Sequence, residues 1–177
     1  MDLINAYNEH FENIVFLDID GVFNNQYFKG EYVFTKESVE VLNYLYEKYN
    51  IKIVISSTWK NAYSFAFLQL VFKENNIKAP LIDKTMTFIT PDEKRSKTMT
   101  LEELLNEEVN EIFTREYEIN KWIKLFQPNH YVILDDFKMR DKNLFTHQIL
   151  TYNWGEEEST LGLRKFHINK IEQILKL

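Results

Sequence analysis

Three short stretches hold the residues best suited to chemistry: Asp18-Ile19-Asp20-Gly21, Ser56-Ser57-Thr58 and Asp135-Asp136. On a strand or tight turn the side chains of an Asp-x-Asp pair fall on one side, so Asp18 and Asp20 can flank the same small group. One can attack while its partner handles protons. Gly21 permits a sharp backbone exit that leaves room for a phosphate. Crowded carboxylates raise one another's pKa unless a cation or hydrogen bonds offset the repulsion, and a bound hard cation is the natural compensator. Magnesium takes oxygen ligands and keeps several waters, which suits one or two carboxylates beside a phosphoryl group. Each stretch alone is also ordinary turn chemistry, because Asp, Ser and Gly commonly end strands. Their coincidence is what argues for a site.

The elements that would carry these residues are legible in the apolar pattern. Residues 14–17 (IVFL), 51–55 (IKIVI) and 131–134 (YVIL) read as strands covered on both faces, with weaker candidates at 86–89 and 148–152. Helical spacing predicts helices over 36–49, about 60–75, 101–112, 115–126 and 164–176. Thr35 is the expected N-cap of the first, and Thr100 with Glu103 forms a capping-box spacing ahead of the third. Strands alternating with helices imply an α/β domain with a mostly parallel sheet. The carboxyl ends of such strands share one edge, where ligands bind. Three distant segments would then deliver four carboxylates and several hydroxyls to one place.

A chain of 177 residues predicts one domain over 1–177, with the charged segment at about 91–113 as a solvated insertion. Hydrophobic residues at 45% supply a core and exclude a disordered chain. The formal charge of −6 argues against a general polyanion-binding surface and leaves room only for a local basic patch. The absence of cysteine excludes disulfides, thiolate metal sites and cysteine nucleophiles. The opening MDLINAYNEH lacks the basic and apolar regions of a secretory signal, and no apolar run suits a membrane span. A soluble, cytoplasmic protein with no membrane partner is the expectation.

The string FLDIDGVFN (16–24) resembles motif I of the haloacid dehalogenase (HAD) superfamily, IVISSTWK (53–60) resembles motif II and YVILDD (131–136) resembles the acidic motif IV. Together with TREYEINKWI (114–123) and STLGL (159–163), they make the chain similar to a compact HAD subfamily that includes the HAD domain of Swiss Army knife RNA-repair proteins. The likeness spans nearly the whole chain. It implies a three-layer Rossmann-like fold with a mostly parallel central sheet and a minimal cap, since 22–35 and 91–113 are too short for a full lid.

By the same resemblance Asp18 would be the nucleophile and Asp20 the general acid and base. Ser56 would bind the phosphoryl oxygens. Arg115 would be the motif III cation, with Lys84, Lys94, Arg95 and Lys97 as alternatives. Mg2+ would be held by the Asp18 carboxylate, the Asp20 backbone carbonyl and a motif IV carboxylate, Asp136 directly and Asp135 as its neighbour. Gly21, Ser57 and Lys60 would lie at the substrate. The implied function is a magnesium-dependent phosphomonoester hydrolase working through an aspartyl-phosphate, on a small phosphorylated molecule, a nucleotide or a nucleic-acid end. A noncatalytic phosphate-binding or interaction module is the alternative. Trp59 is read as packed or touching substrate, and His10, His130, His147 and His167 as structural or surface residues, with His147 following motif IV closely enough to lie near the site.

Overall fold

The structure, a computed structural model, describes residues 11–23, 34–86, 115–151 and 162–176. At its centre lies a parallel sheet of β1 (Asn13–Leu17), β2 (Lys52–Ile55), β3 (Leu81–Lys84), β4 (His130–Asp135) and β5 (Gln148–Leu150), in the order β3-β2-β1-β4-β5. The order reverses beside β1. That is the topological switch point at which open α/β sheets bind ligands. In register, Leu17 pairs with Ile55 on one side and Leu134 on the other, so the three central strands end together.

Side-chain alternation sorts these strands into two cores. Val15, Leu17, Ile53, Ile55, Val132 and Leu134 face α1 (Lys36–Tyr49), α3 (Phe65–Glu74) and α6 (Ile168–Leu175). Ile14, Phe16, Val54 and Ile133 face Ile119 and Trp122 of α4, residues 115–126, and Leu144 of α5 (Lys142–Thr146). Every one of these strand residues is fully buried. At about 1.5–3 kcal/mol for each large apolar side chain removed from water, this double burial is the main force holding β1 between its neighbours. The result is the three-layer Rossmann-like α/β arrangement expected, with helices on both faces of a parallel sheet.

Several boundaries differ from the sequence reading for physical reasons. The predicted 60–75 helix is two helices, α2 (Trp59–Ala62) and α3, because Ser64 adopts an extended conformation and its hydroxyl accepts a hydrogen bond from Phe67 N (3.2 Å). Thr35 precedes α1 without capping it; its Oγ1 lies 2.6 Å from Ser38 Oγ. α1 ends at Asn50, which takes the left-handed conformation that stops helices and donates to Tyr46 O. The predicted 164–176 helix begins as a 3-10 turn, Lys165–His167, before α6. Strand β3 carries Asp83 and Lys84 and lies at the sheet edge, so it lacks the continuous apolar signature of the inner strands. The predicted helix 101–112, the 91–113 insertion, and the candidate strand 86–89 apart from Met86 lie outside the described residues.

Candidate active site

Each strand hands its chain to a polar residue at the same edge of the sheet. Asp18 follows β1, Ser56 follows β2, Thr85 follows β3, Asp135 ends β4, and Thr151 follows β5. Ladder hydrogen bonds continue through four of these positions, Asp18 N to Leu134 O (2.9 Å), Ser56 N to Leu17 O (2.9 Å), Thr85 N to Ile55 O (2.9 Å) and Thr151 N to Asp135 O (3.1 Å). The sheet therefore fixes the backbone under the side chains. All five are almost wholly buried.

Arg115 is the first described residue of α4 and stands above this row. Its Nη1 donates to Asp18 Oδ2 (2.9 Å) and to Asp135 Oδ2 (2.8 Å). The second oxygens are fixed by backbone: Ile19 N donates to Asp18 Oδ1 (2.8 Å) and Phe137 N to Asp135 Oδ1 (2.9 Å). Among the basic candidates, Lys84 instead donates to the Lys60 carbonyl (3.0 Å), while Lys94, Arg95 and Lys97 lie outside the described residues. Asp136 completes a group with Asp18 and Asp135 in which one oxygen from each lies within 4.8 Å of the others.

Gly21 adjoins this group with φ +71°, and a Cβ there would stand 2.2 Å from Asp136 Oδ2. Only glycine fits both the backbone angle and the space. The turn it makes is tied down from two sides, by Thr151 Oγ1 donating to Gly21 O (3.1 Å) and by Leu163 N donating to Val22 O (2.8 Å). The last two residues of the late STLGL string, Gly162 and Leu163, thus bear on the site although they are remote in sequence. Asp20 is exposed, and its Oδ2 accepts the indole N–H of Trp59 (2.8 Å). Ser57 is buried, and its Oγ lies 3.4 Å from Trp59 N as acceptor. The Ser56 hydroxyl is buried and has no hydrogen-bond partner among the described residues.

A family model described as "HAD domain in Swiss Army Knife RNA repair proteins" matches residues 14–163. The chain belongs to this family. No curated protein and no solved structure matched it. Membership points to a phosphatase-type hydrolase, and HAD domains generally use Mg2+. Among the described residues, no helix is long and apolar enough to cross a membrane.

The electrostatics of this HAD domain suit a hard cation. Among the described residues, one arginine meets a group of three carboxylates, an excess of negative charge in a buried place. Burial, followed by the repulsion of Asp18, raises the Asp135 carboxyl to about 6 even though Arg115 opposes the shift. Burial, then Asp18 and Asp135, raises Asp136 to about 8. Asp136 Oδ1 is buried and has no hydrogen-bond partner among the described residues. An all-oxygen donor set with a surplus of charge and an orphaned carboxylate oxygen fits magnesium.

Lys60, read from sequence as a substrate contact, is buried and ion-paired with Glu118, and also donates to Thr85 Oγ1 (3.0 Å). Burial pushes its ammonium pKa down, while Glu118 pushes it up. Glu118, Thr85, Thr151 and Glu116 escaped the sequence reading. The two threonines carried a usable signal, as the first polar residues after a strand. Glu116 and Glu118 look like solvated helix charges until the burial of that face is known. His147 stacks on Tyr131 with ring centroids 4.3 Å apart, in keeping with a structural role.

Proposed function

We propose that this HAD domain is a magnesium-dependent phosphomonoester hydrolase acting through an aspartyl-phosphate, with phosphorylated nucleic-acid ends as its substrate class. The observation that carries the reading is the shared Arg115 bridge between Asp18 and Asp135 beside the unpartnered Asp136 oxygen. A nucleophilic carboxylate can approach an anionic phosphate only where positive charge offsets both. The family's RNA-repair description and a site that the sequence endows with little lid support the choice of nucleic-acid ends.

Magnesium would be held by the carboxylates of Asp18 and Asp136 and the Asp20 backbone carbonyl, with Asp135 behind them, and would supply Lewis-acid stabilisation of charge on the transferring group. Within the acidic doublet Asp136 takes the direct place because, among the described residues, its Oδ1 has no hydrogen-bond partner, whereas both oxygens of Asp135 accept one. The chain's own residues do the rest. An Asp18 carboxylate oxygen bonds to phosphorus as the phosphorus–oxygen bond to the leaving group breaks, and Asp20 gives its proton to the departing oxygen. Asp20 then takes a proton from water, whose oxygen bonds to phosphorus while the Asp18–phosphorus bond breaks. Inorganic phosphate leaves, Asp18 is restored and Asp20 is again protonated. The Ser56 hydroxyl donates to the phosphoryl oxygens, which gives that buried group the partner it lacks. Arg115 orients Asp18 and offsets developing charge, Ser57 supports the Trp59 turn, and Gly21 keeps space open beside Asp136.

The test is hydrolysis of RNA and DNA oligonucleotides with 3′- or 5′-phosphate, alongside nucleotides and an aryl phosphate, with magnesium and with chelator. Metal-dependent release of phosphate, fastest from an oligonucleotide end, is expected. No turnover of any donor at saturating magnesium would refute the enzyme reading, and faster turnover of nucleotides would refute the substrate class.

A further inference from the structure

Directly after the acidic doublet the chain reads Phe137-Lys138-Met139-Arg140-Asp141-Lys142 and continues into α5 with Phe145. Phe137, Lys138, Met139, Arg140, Lys142 and Phe145 line an open surface depression of about 660 Å³. Two phenylalanines stand partly in water here, Phe137 at 39% and Phe145 at 43% exposure, above a Met139 that is buried. The Lys138 ammonium sits over the Phe145 ring, 4.9 Å from its centroid. In a chain of net charge −6, this stretch brings three cations together against one acid. The carboxylate of that acid, Asp141, is occupied in capping α5 through Asn143 N (2.8 Å) and in accepting from Asn120 Nδ2 (3.0 Å).

The stretch is held to the site by buried groups. Phe137 N donates to Asp135 Oδ1, the carboxylate that Arg115 also binds (2.9 Å and 2.8 Å). The buried Gln148 side chain donates to Phe137 O (2.5 Å) and accepts from Met139 N (2.9 Å). Glu116, next to Arg115, accepts from Arg140 N and from Asp141 N (3.2 Å). The same elements thus fix the reacting carboxylates and the aromatic, cationic surface that begins one residue beyond them.

We propose that this depression is a landing shelf for the unpaired nucleotides next to a terminal phosphate, with bases stacking on Phe137 and Phe145 and the backbone running past Lys138, Arg140 and Lys142. Flat apolar rings interleaved with cations match a single strand, in which each nucleotide offers a π-face and a negative charge. A duplex, whose bases are stacked inside, would use the cations and leave the rings idle. The proposal rests on the phosphatase reading for the identity of the bound end, and specifies what the site holds besides the phosphate.

The experiment measures binding and turnover separately. Fluorescence anisotropy is recorded for a labelled single-stranded octamer with a terminal phosphate, in RNA and DNA forms, against its duplex and with a mononucleotide as competitor. Hydrolysis of an aryl phosphate is followed in parallel. The octamer is expected to bind at least about tenfold more tightly than the mononucleotide, and Phe145→Ala to remove most of that gain. Lys142→Glu should weaken binding by about tenfold and flatten its salt dependence. Both variants should keep aryl phosphate turnover and thermal unfolding close to wild type. Equal affinity for octamer and mononucleotide, tighter binding of duplex than of single strand, or unchanged octamer binding in both variants would overturn the shelf. Octamer binding lost in the variants of a protein that hydrolyses nothing would support the shelf and refute the catalytic reading. Comparing the RNA and DNA arms identifies which polymer supplies the strand.

Discussion

Two buried groups of charges lie one helical turn apart on α4, and they are built differently. Glu118 meets Lys60 and Thr85 in a group of one cation, one carboxylate and a hydroxyl. Arg115 meets Asp18 and Asp135, with Asp136 beside them, so among the described residues one cation faces three carboxylates. The first group pairs one cation with one carboxylate and links both to the same hydroxyl. The second carries excess negative charge, an unpartnered Asp136 oxygen and, nearby, an unpartnered Ser56 hydroxyl. A balanced buried pair can fix one helix against another; an unbalanced one needs something from outside the chain. Because Arg115 and Glu118 share a face of α4, we read the Lys60–Glu118 pair as the anchor that aims Arg115, and the aspartates as the chemistry.

The largest effect should separate the two groups. Asp18→Asn should lower aryl phosphate turnover by at least ~10³-fold, as expected when a nucleophile is removed, with the circular dichroism spectrum and melting cooperativity retained. Replacing Lys60 with Met and Glu118 with Leu together should cost no more than about tenfold, provided α4 stays docked. A rise in KM in that double variant, out of proportion to any fall in kcat, would move Lys60 from the anchor to the substrate.

Stability should show the opposite ranking. Breaking the balanced pair singly, by Lys60→Met or Glu118→Gln, leaves a buried group without its partner and should cost about 3–5 kcal/mol in urea unfolding. The double apolar variant should recover much of that loss. If the single and double variants were equally destabilised, the anchor would not be a pair.

The aspartates should reveal their surplus charge through pH. Asp135 and Asp136 are raised to about 6 and about 8 from an ordinary value of 3.8, so the folded protein holds protons that the unfolded chain has released. Stability in chelator should therefore fall as pH rises through that window, because the folded state binds more protons than the unfolded one. Magnesium should reverse the fall, and the shift in melting temperature it produces should be larger at pH 8 than at pH 5.5. Asp136→Asn should flatten the pH dependence. An equal magnesium shift at both pH values would contradict the crowded-carboxylate picture.

The smallest effect concerns the bond from Trp59 Nε1 to Asp20 Oδ2. Trp59→Phe keeps a ring against Phe34 and Tyr63 but removes the donor. It should slow substrates with poor leaving groups by about three- to tenfold, about the worth of one ordinary hydrogen bond, and spare those with good ones. Equal loss for both leaving-group classes would assign Trp59 to packing alone.

The inner strands and the residues at their ends were readable because strands buried on both faces leave continuous apolar runs, and a polar residue ending such a run stands out. Arg115 was readable only through resemblance: spacing left it level with Lys84, and the deciding fact is which cation the α4 docking turns toward Asp18. Edge strand β3 and the break at Ser64 were missed because a half-exposed strand and a hydroxyl cap leave weak local patterns. The Lys60–Glu118 pairing has no sequence signal for a related reason. Charged residues on helices read as solvated until tertiary packing buries them.

The stereochemical course at phosphorus tests the role of Asp18 most directly. Turnover of an aryl phosphate made chiral with oxygen isotopes passes through two in-line displacements if the carboxylate attacks first, so configuration should be retained, in transfer to an alcohol acceptor that replaces water. Inversion would mean that the acceptor attacks the substrate in a single step, and the aspartate would then be no nucleophile.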